Sequence, residues 1–248
     1  SATPSTAALP TAAQHTTPDL FAAPAATTPA TATAAAATPA PTAIPQPPAP
    51  VAQHYSTITT WAEFDTWLAA INAAALTAID TETTSLHAMQ AQLIGISLCV
   101  QAGHAAYIPL GHEGADTPEQ LPLQAVLDKL RPWLEDANKP KLGQHIKYDS
   151  HVFANHGLTI RGYQHDTMLQ SYVLEAHKPH SLESLALRHL GRSGASYESI
   201  CGKGAQQTPF AHVAIEQAST YACEDADFCL QVHQQLWPQL ADNPALQH

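Results

Sequence analysis

Charge is almost missing from the first fifth of this 248-residue chain, where Asp19 is the one formally charged residue among positions 1–50. Those 50 positions hold 18 Ala, 11 Pro and 11 Thr. Such a segment buries too little apolar surface to offset a chain entropy of roughly 1–2 kcal/mol per residue, so it is expected to be an extended, Pro-rich spacer. Long runs of large apolar residues are lacking too, and no membrane span is expected. The N-terminus has neither the charged nor the apolar region of a secretory signal. Cys99, Cys201, Cys223 and Cys229 have no C-x-x-C spacing. They are expected to be small, buried, reduced thiols, with a cytosolic location following. Fifteen His residues form no H-E-x-x-H or paired Cys/His spacing, which leaves no zinc-site pattern.

Positive charge is scarce: 10 Lys+Arg against 21 Asp+Glu give a net charge of −11. An acidic chain repels phosphates at long range. All ten basic residues nevertheless lie between Lys129 and Lys203, so the sequence admits either a local basic surface or a scattered set of solvated charges.

After the spacer, Thr60 and Glu63 make a capping box for a helix with Trp61, Phe64, Leu68 and Ile71 on one stripe. Strand-like runs follow at Leu76 to Thr81, Gln92 to Val100 and His104 to Leu110, with short turns that suggest an antiparallel meander. A helix from Pro122 to Glu135, a short strand at Lys141 to Gly143 and a helix from Lys147 to a C-cap Gly157 come next. The remainder reads as helices at Thr167 to Glu175, Leu182 to Leu190 and Ala211 to Leu236, with a loop from Gly191 to Pro209. The order predicts an α/β domain with a mixed central sheet flanked by helices.

Several acids sit where the pattern asks for apolar side chains. Alternation puts Leu76, Ala78, Asp80 and Glu82 on one face of a strand. Asp149 lies on a helix stripe with Ile146 and Phe153, and Asp225 lies in the middle of the stripe Ala218, Ala222, Cys229, Val232 and Leu236. Tyr221 sits one turn before Asp225. An ionised carboxylate on an apolar face is costly unless paired, hydrogen-bonded or metal-bound, and hard divalent cations such as Mg²⁺ or Mn²⁺ favour carboxylate oxygens. Each acid taken alone also fits a surface or helix-terminal position, and Asp149 suits its helix dipole.

The ordered segments Ala78-Ile79-Asp80-Thr81-Glu82-Thr83, Gly143-Gln144-His145-Ile146-Lys147-Tyr148-Asp149, Asp166 to Tyr172 and Tyr221-Ala222-Cys223-Glu224-Asp225-Ala226-Asp227 resemble the motifs of the DEDDy exonucleases. They are most similar to the proofreading 3′-to-5′ exonuclease domains of bacterial DNA polymerase I, and Ser181 to Ala186 adds to the match. The resemblance runs from about Trp61 to Leu240. It implies a ribonuclease H-like fold and a two-metal phosphodiesterase acting on a single-stranded DNA 3′ end. Under it, Asp80 would bridge two divalent cations, Mg²⁺ or Mn²⁺ with Zn²⁺ admissible at one site. Glu82 and Asp225 would complete the first site, Asp149 would serve the second through water, and Tyr221 with Glu82 would orient the attacking water. Thr83, Leu86, His145, Tyr148 and Tyr197 would contact substrate, with Leu86 and Tyr197 against the terminal bases. His145 departs from the Asn expected there.

The same resemblance implies three regions: a linker at 1–53, an exonuclease domain at 54–241 and the start of a connection at 242–248. The polymerase and 5′ nuclease domains of a longer parent chain would be its partners, in a monomer of the bacterial cytosol. Two other readings keep the fold: an RNA-trimming enzyme resembling ribonuclease D, and a catalytically silent scaffold.

Overall fold

The computed structural model describes residues 49, 51–114 and 117–246. Positions 1–48 and 50 of the expected linker, and the last two of the expected connection, lie outside them. Among the described residues one six-stranded sheet is built from β1 (His54–Thr57), β2 (Thr77–Thr83), β3 (Leu93–Gln101), β4 (His104–Pro109), β5 (Lys141–Gly143) and β6 (Tyr163–Asp166). The strand order is β1-β4-β3-β2-β5-β6. β3 runs antiparallel to β2 and β4, while β1–β4, β2–β5 and β5–β6 are parallel pairs.

Alternation along the strands sends two different residue sets to the two faces. Ile79, Ile96, Leu98 and Ile108 meet Phe64 and Ile71 of α1 (Trp61–Ala73), Leu127 and Leu130 of α2 (Leu123–Leu134) and Phe153 of α3 (Ile146–Asn155). The opposite face carries Ala78, Cys99, Ala105 and Leu142 against Ala218, Ala222, Ala226 and Cys229 of α7 (Ile215–Ala241). Because both partners in this second layer are small, the long helix approaches the sheet closely. α4 (Thr167–Glu175) and α5 (Leu182–Leu190) pack on α7, where Leu185, Ala186 and Leu190 meet Val232 and Leu236. All four Cys are buried and unpaired with one another.

The meander, the capping box at Thr60 and Glu63, and the helices at Thr167–Glu175 and Leu182–Leu190 are where the sequence places them. Four elements differ. β1 and β6 are four-residue edge strands of mixed polarity (HYST and YQHD) that leave no clear periodic trace. The segment expected as loop at 191–209 contains a short helix, α6 (Tyr197–Cys201), capped by Ser196. The last helix starts later than expected, after a 3-10 turn at Phe210–His212, and runs past Pro238 to Ala241. Pro238 forfeits a single N–H, and the buried Leu240 keeps that final turn on the core.

Candidate active site

The acids meet where β2 ends beneath α7. Asp80 and Glu82 project from β2 toward the helix, two residues apart on one face. Asp225 comes down from α7, whose Ala218, Ala222 and Ala226 bring the backbone near enough for a short side chain to reach the strand. One oxygen from each of Asp80, Glu82 and Asp225 lies within 4.8 Å of the others. Asp149 arrives from α3 and is 2% exposed. Its Oδ1 accepts a hydrogen bond from Thr81 Oγ1 at 2.6 Å. Thr81 faces away from Asp80 and Glu82 by alternation, which explains why Asp149 stands beside the three-acid cluster and outside it.

Like charges without a cation raise one another's proton affinity. Burial pushes Asp80 up to about 7. Glu82 is held well above the carboxylate range by burial and then by Asp80, Asp225 and Asp149. Asp225 is raised by burial and by Asp80, with the Tyr221 hydroxyl partly opposing this. Asp149 is raised by burial and by Asp80, while its bond from Thr81 pulls the other way. Burial, followed by Asp225 and Glu82, also keeps the Tyr221 hydroxyl protonated, so it acts as a donor. Glu82 Oε1 is buried without a hydrogen-bond partner. An orphaned carboxylate oxygen inside a cluster of hard anionic donors fits a divalent cation, and Asp80, Glu82 and Asp225 can hold one.

A cleft of about 610 Å³ opens from these acids. Its wall includes Asp80 to Leu86, Tyr148, Tyr197, Glu198, Gln207, Tyr221 and Asp225. Leu86 is 94% exposed and Tyr197 40%, so neither is a core residue; both present apolar surface to the opening. The Tyr148 hydroxyl donates to the Ser85 carbonyl at 2.5 Å and contacts Thr83 Oγ1, fixing that edge of the wall. His145 stands apart: it is exposed at the start of α3, with its ring stacked on Tyr148 at 6.3 Å. It is also the only non-glycine residue with positive φ (66°) among the described residues. Asn enters that left-handed region more readily than most side chains, which gives a backbone reason for Asn at this position.

The spacing of the acids does not reveal Thr81, Glu198 or Gln207. Thr81 was legible only as the residue between two acids on a strand. Glu198 and Gln207 lie in the stretch read as loop, where no periodicity marks a facing direction. Most of the basic residues that cluster in sequence are engaged by other groups of the protein. Lys129, Arg131, Lys178, Arg188, Arg192 and Lys203 each have a carboxylate partner. Lys139 donates to the Asn72 carbonyl. Lys141 is fully buried, its ammonium bonded to the carbonyls of Asp136, Lys139 and Arg161 and seated over Trp133. Lys147 and Arg161 remain exposed.

Comparison with known proteins gives this geometry its family. A family model described as 3′-5′ exonuclease matches residues 55–241. The chain belongs to the 3′-5′ exonuclease family. It is 50% identical over 195 residues to DNA polymerase I of Pseudomonas aeruginosa, covering 77% of this chain and 21% of that protein. Against DNA polymerase I of Rhizobium leguminosarum the identity is 37% over 205 residues, with 75% and 20% covered. This exonuclease chain thus spans about a fifth of the length of these curated relatives. Among solved structures, the POL domain of Pol1 from M. smegmatis in complex with DNA primer-template and dNTP superposes with a TM-score of 0.58 at 20% identity, covering 77% of this chain and 28% of that one. Escherichia coli RNase D, an exoribonuclease, gives 0.55 at 20% identity over 78% and 48%. These likenesses establish the ribonuclease H-like fold. Among the described residues no helix is long and apolar enough to cross a membrane.

Proposed function

We propose that this exonuclease hydrolyses the 3′-terminal phosphodiester of single-stranded DNA, releases nucleoside 5′-monophosphates, and serves as the proofreading module of a DNA polymerase I. The observation that carries the reading is the juxtaposition of Asp80, Glu82 and Asp225 oxygens within 4.8 Å at the floor of a cleft edged by Leu86 and Tyr197. Asp80, Glu82 and Asp225 would hold one divalent cation, and Asp149 would serve a second through water; Mg²⁺ and Mn²⁺ suit this all-oxygen set, with Zn²⁺ admissible at one site. When bound, such ions acidify water and neutralise charge on a phosphoryl group.

The chain's own residues do the remaining work. The neutral Tyr221 hydroxyl and Glu82 orient the attacking water. Leu86 and Tyr197 hold the terminal bases by contacts that any base satisfies, as a sequence-tolerant enzyme requires. Thr83 and Tyr148 brace the strand end against the substrate backbone, and His145 would contact the substrate from its place beside Tyr148. The partners would be the polymerase and 5′ nuclease domains of a longer chain, joined through residues 1–53 and 242–248, in a monomeric enzyme of the bacterial cytosol.

The test is degradation of a 5′-labelled DNA oligonucleotide with Mg²⁺ or Mn²⁺, beside EDTA, Asp80→Ala and an RNA strand of the same sequence. A ladder shortening from the 3′ end, absent in both controls and weaker on RNA, is expected. Preference for RNA would overturn the substrate, and cleavage undiminished in Asp80→Ala would overturn the site.

A further inference from the structure

We infer that Asp166 is a positioning residue for Asp149, holding α3 in the register that points this acid at the site; the inference rests on the two-cation reading above. Asp166 ends β6 and is buried. Its carboxylate accepts three backbone N–H groups from two different helix starts. Oδ2 takes Ile146 at 2.9 Å, and Oδ1 takes His145 at 3.3 Å and Leu169 at 3.1 Å. The first two belong to α3 and the last to α4, so one side chain caps both helices.

The need for such a clamp follows from the local sequence. α3 begins at His145, which supplies no side-chain cap and sits in the left-handed region. The first amides of a helix lack partners within it. At most helix starts a Ser, Thr, Asp or Asn at the N-cap would meet that need, yet here the acceptor comes from 20 residues downstream. Asp149 lies about one turn beyond these amides, so the anchoring of the His145–Ile146 backbone sets both the height and the rotation of its side chain. The neighbouring Thr167 bonds from the same strand end to the Gly143 carbonyl at 3.3 Å and to the Gln144 side chain. Residues 143–146 are therefore held on both sides by Asp166 and Thr167.

Two features distinguish this from ordinary capping. The carboxylate serves α3 and α4 together, so its loss frees α3 at the end nearest the acids. In addition, Asp149 reaches the β2 side of the site through the single bond from Thr81, a distance that a shift of one ångström in α3 would break. The three-acid cluster draws on β2 and α7, and the backbone amides that Asp166 holds belong to neither.

The experiment is Mn²⁺ titration of the 248-residue chain by calorimetry, for wild type, Asp166→Ala, Asp166→Asn and Asp149→Asn, with amide hydrogen exchange at residues 145–149. Wild type is expected to bind two Mn²⁺. Asp166→Ala should retain the tighter site and weaken the other by roughly 10- to 100-fold, the usual scale for a supporting residue behind a metal ligand. It should resemble Asp149→Asn in this respect, with faster exchange at Ile146. Asp166→Asn keeps a carbonyl acceptor and should fall between Ala and wild type, and it carries the test if the Ala variant does not fold. Raising Mn²⁺ should restore exonuclease turnover in the Asp166 variants, which damage to the fold as a whole would not permit. Unchanged binding of both ions, or equal loss at both sites, overturns the inference. Fewer than two ions on wild type overturns the two-cation reading itself.

Discussion

Replacing Asp80 with Asn in the chelated protein at pH 8 removes one of three carboxylates whose oxygens lie within 4.8 Å of each other. At that separation and an effective dielectric of about 20, each pair of unit charges repels by about 3 kcal/mol. Partial protonation relieves some of this, in keeping with Asp80 being pushed up to about 7 by burial. The net gain expected for Asp80→Asn in EDTA is about 2–3 kcal/mol, or roughly 5–10 °C in Tm for a domain of this size. Its pH dependence has a definite sign. An acid raised on folding contributes stability below its unfolded value near 3.9, and that contribution is lost as pH climbs through the folded value. The advantage of Asn should therefore be small at pH 4 and grow toward pH 8. Excess Mg²⁺ should shrink or invert it, because a ligand that binds only the folded state stabilises the wild type alone. Differential scanning fluorimetry at pH 4, 6 and 8, with EDTA and with Mg²⁺, reads all of this. A variant melting at or below wild type in EDTA at pH 8 would refute the account of the site as unneutralised charge.

Three further outcomes follow from other parts of the molecule. Burial, and then His165, push His233 down to about 4; a histidine depressed on folding favours the native state above about 6.5 and ceases to do so as pH falls through 4. The stability that His233 contributes should shrink over that window by ~2–3 kcal/mol, its partial exposure discounted, so the Tm of wild type relative to His233→Gln should fall from pH 6.5 to 4 even as the buried acids push both proteins the other way. Asp227 is fully buried and accepts from Tyr55, the Gly103 amide and Gln231, so Asp227→Ala should cost about 3–5 kcal/mol in urea denaturation by stranding those donors and Arg192. Leu86→Ala should leave Tm within about 1 °C, given 94% exposure, while raising KM for a DNA oligonucleotide roughly tenfold through lost base contact; an unchanged KM would remove Leu86 from the substrate surface.

The parts of this structure readable from sequence are those where one physical requirement dominates a run of residues. α7 announces itself by a small-residue stripe over many turns, and β3 and β4 by continuous apolar runs between turn residues. Asp80, Glu82 and Asp225 stand out because each interrupts such a run at a position that alternation or helical spacing assigns to the inside. β1 and β6 escape notice because edge strands bury one side only and are held by partners far away in the chain, as in the pairing of His54 with His104 and of Lys141 with Tyr163. α6 is one turn long, and its cap at Ser196 is indistinguishable in sequence from the neighbouring Ser and Gly of a loop. The roles of Thr81 and Asp166 depend on contacts across 68 and 20 residues, which no local window contains.

The fate of the basic residues bears on how an acidic chain handles a polyanion. Eight of the ten are engaged by carboxylates or backbone carbonyls, as the ion pairs of Lys129 and Arg188 and the carbonyl cage of Lys141 illustrate. The cleft wall instead offers Leu86, Tyr148 and Tyr197 together with four acids. An approaching phosphate would meet net negative charge there unless cations were present, and the bases would find contacts indifferent to sequence. On the reading proposed above, such a surface would couple strand entry to metal loading: the acids that repel the substrate in chelator would be the ones that draw it in once ions are bound. A permanent basic groove would bind nucleic acid with or without metal. On the reading proposed above, the same carboxylates would set stability, metal affinity and access to substrate, and the small residues of α7 that bring Asp225 down to β2 would be what allows one cluster to do all three.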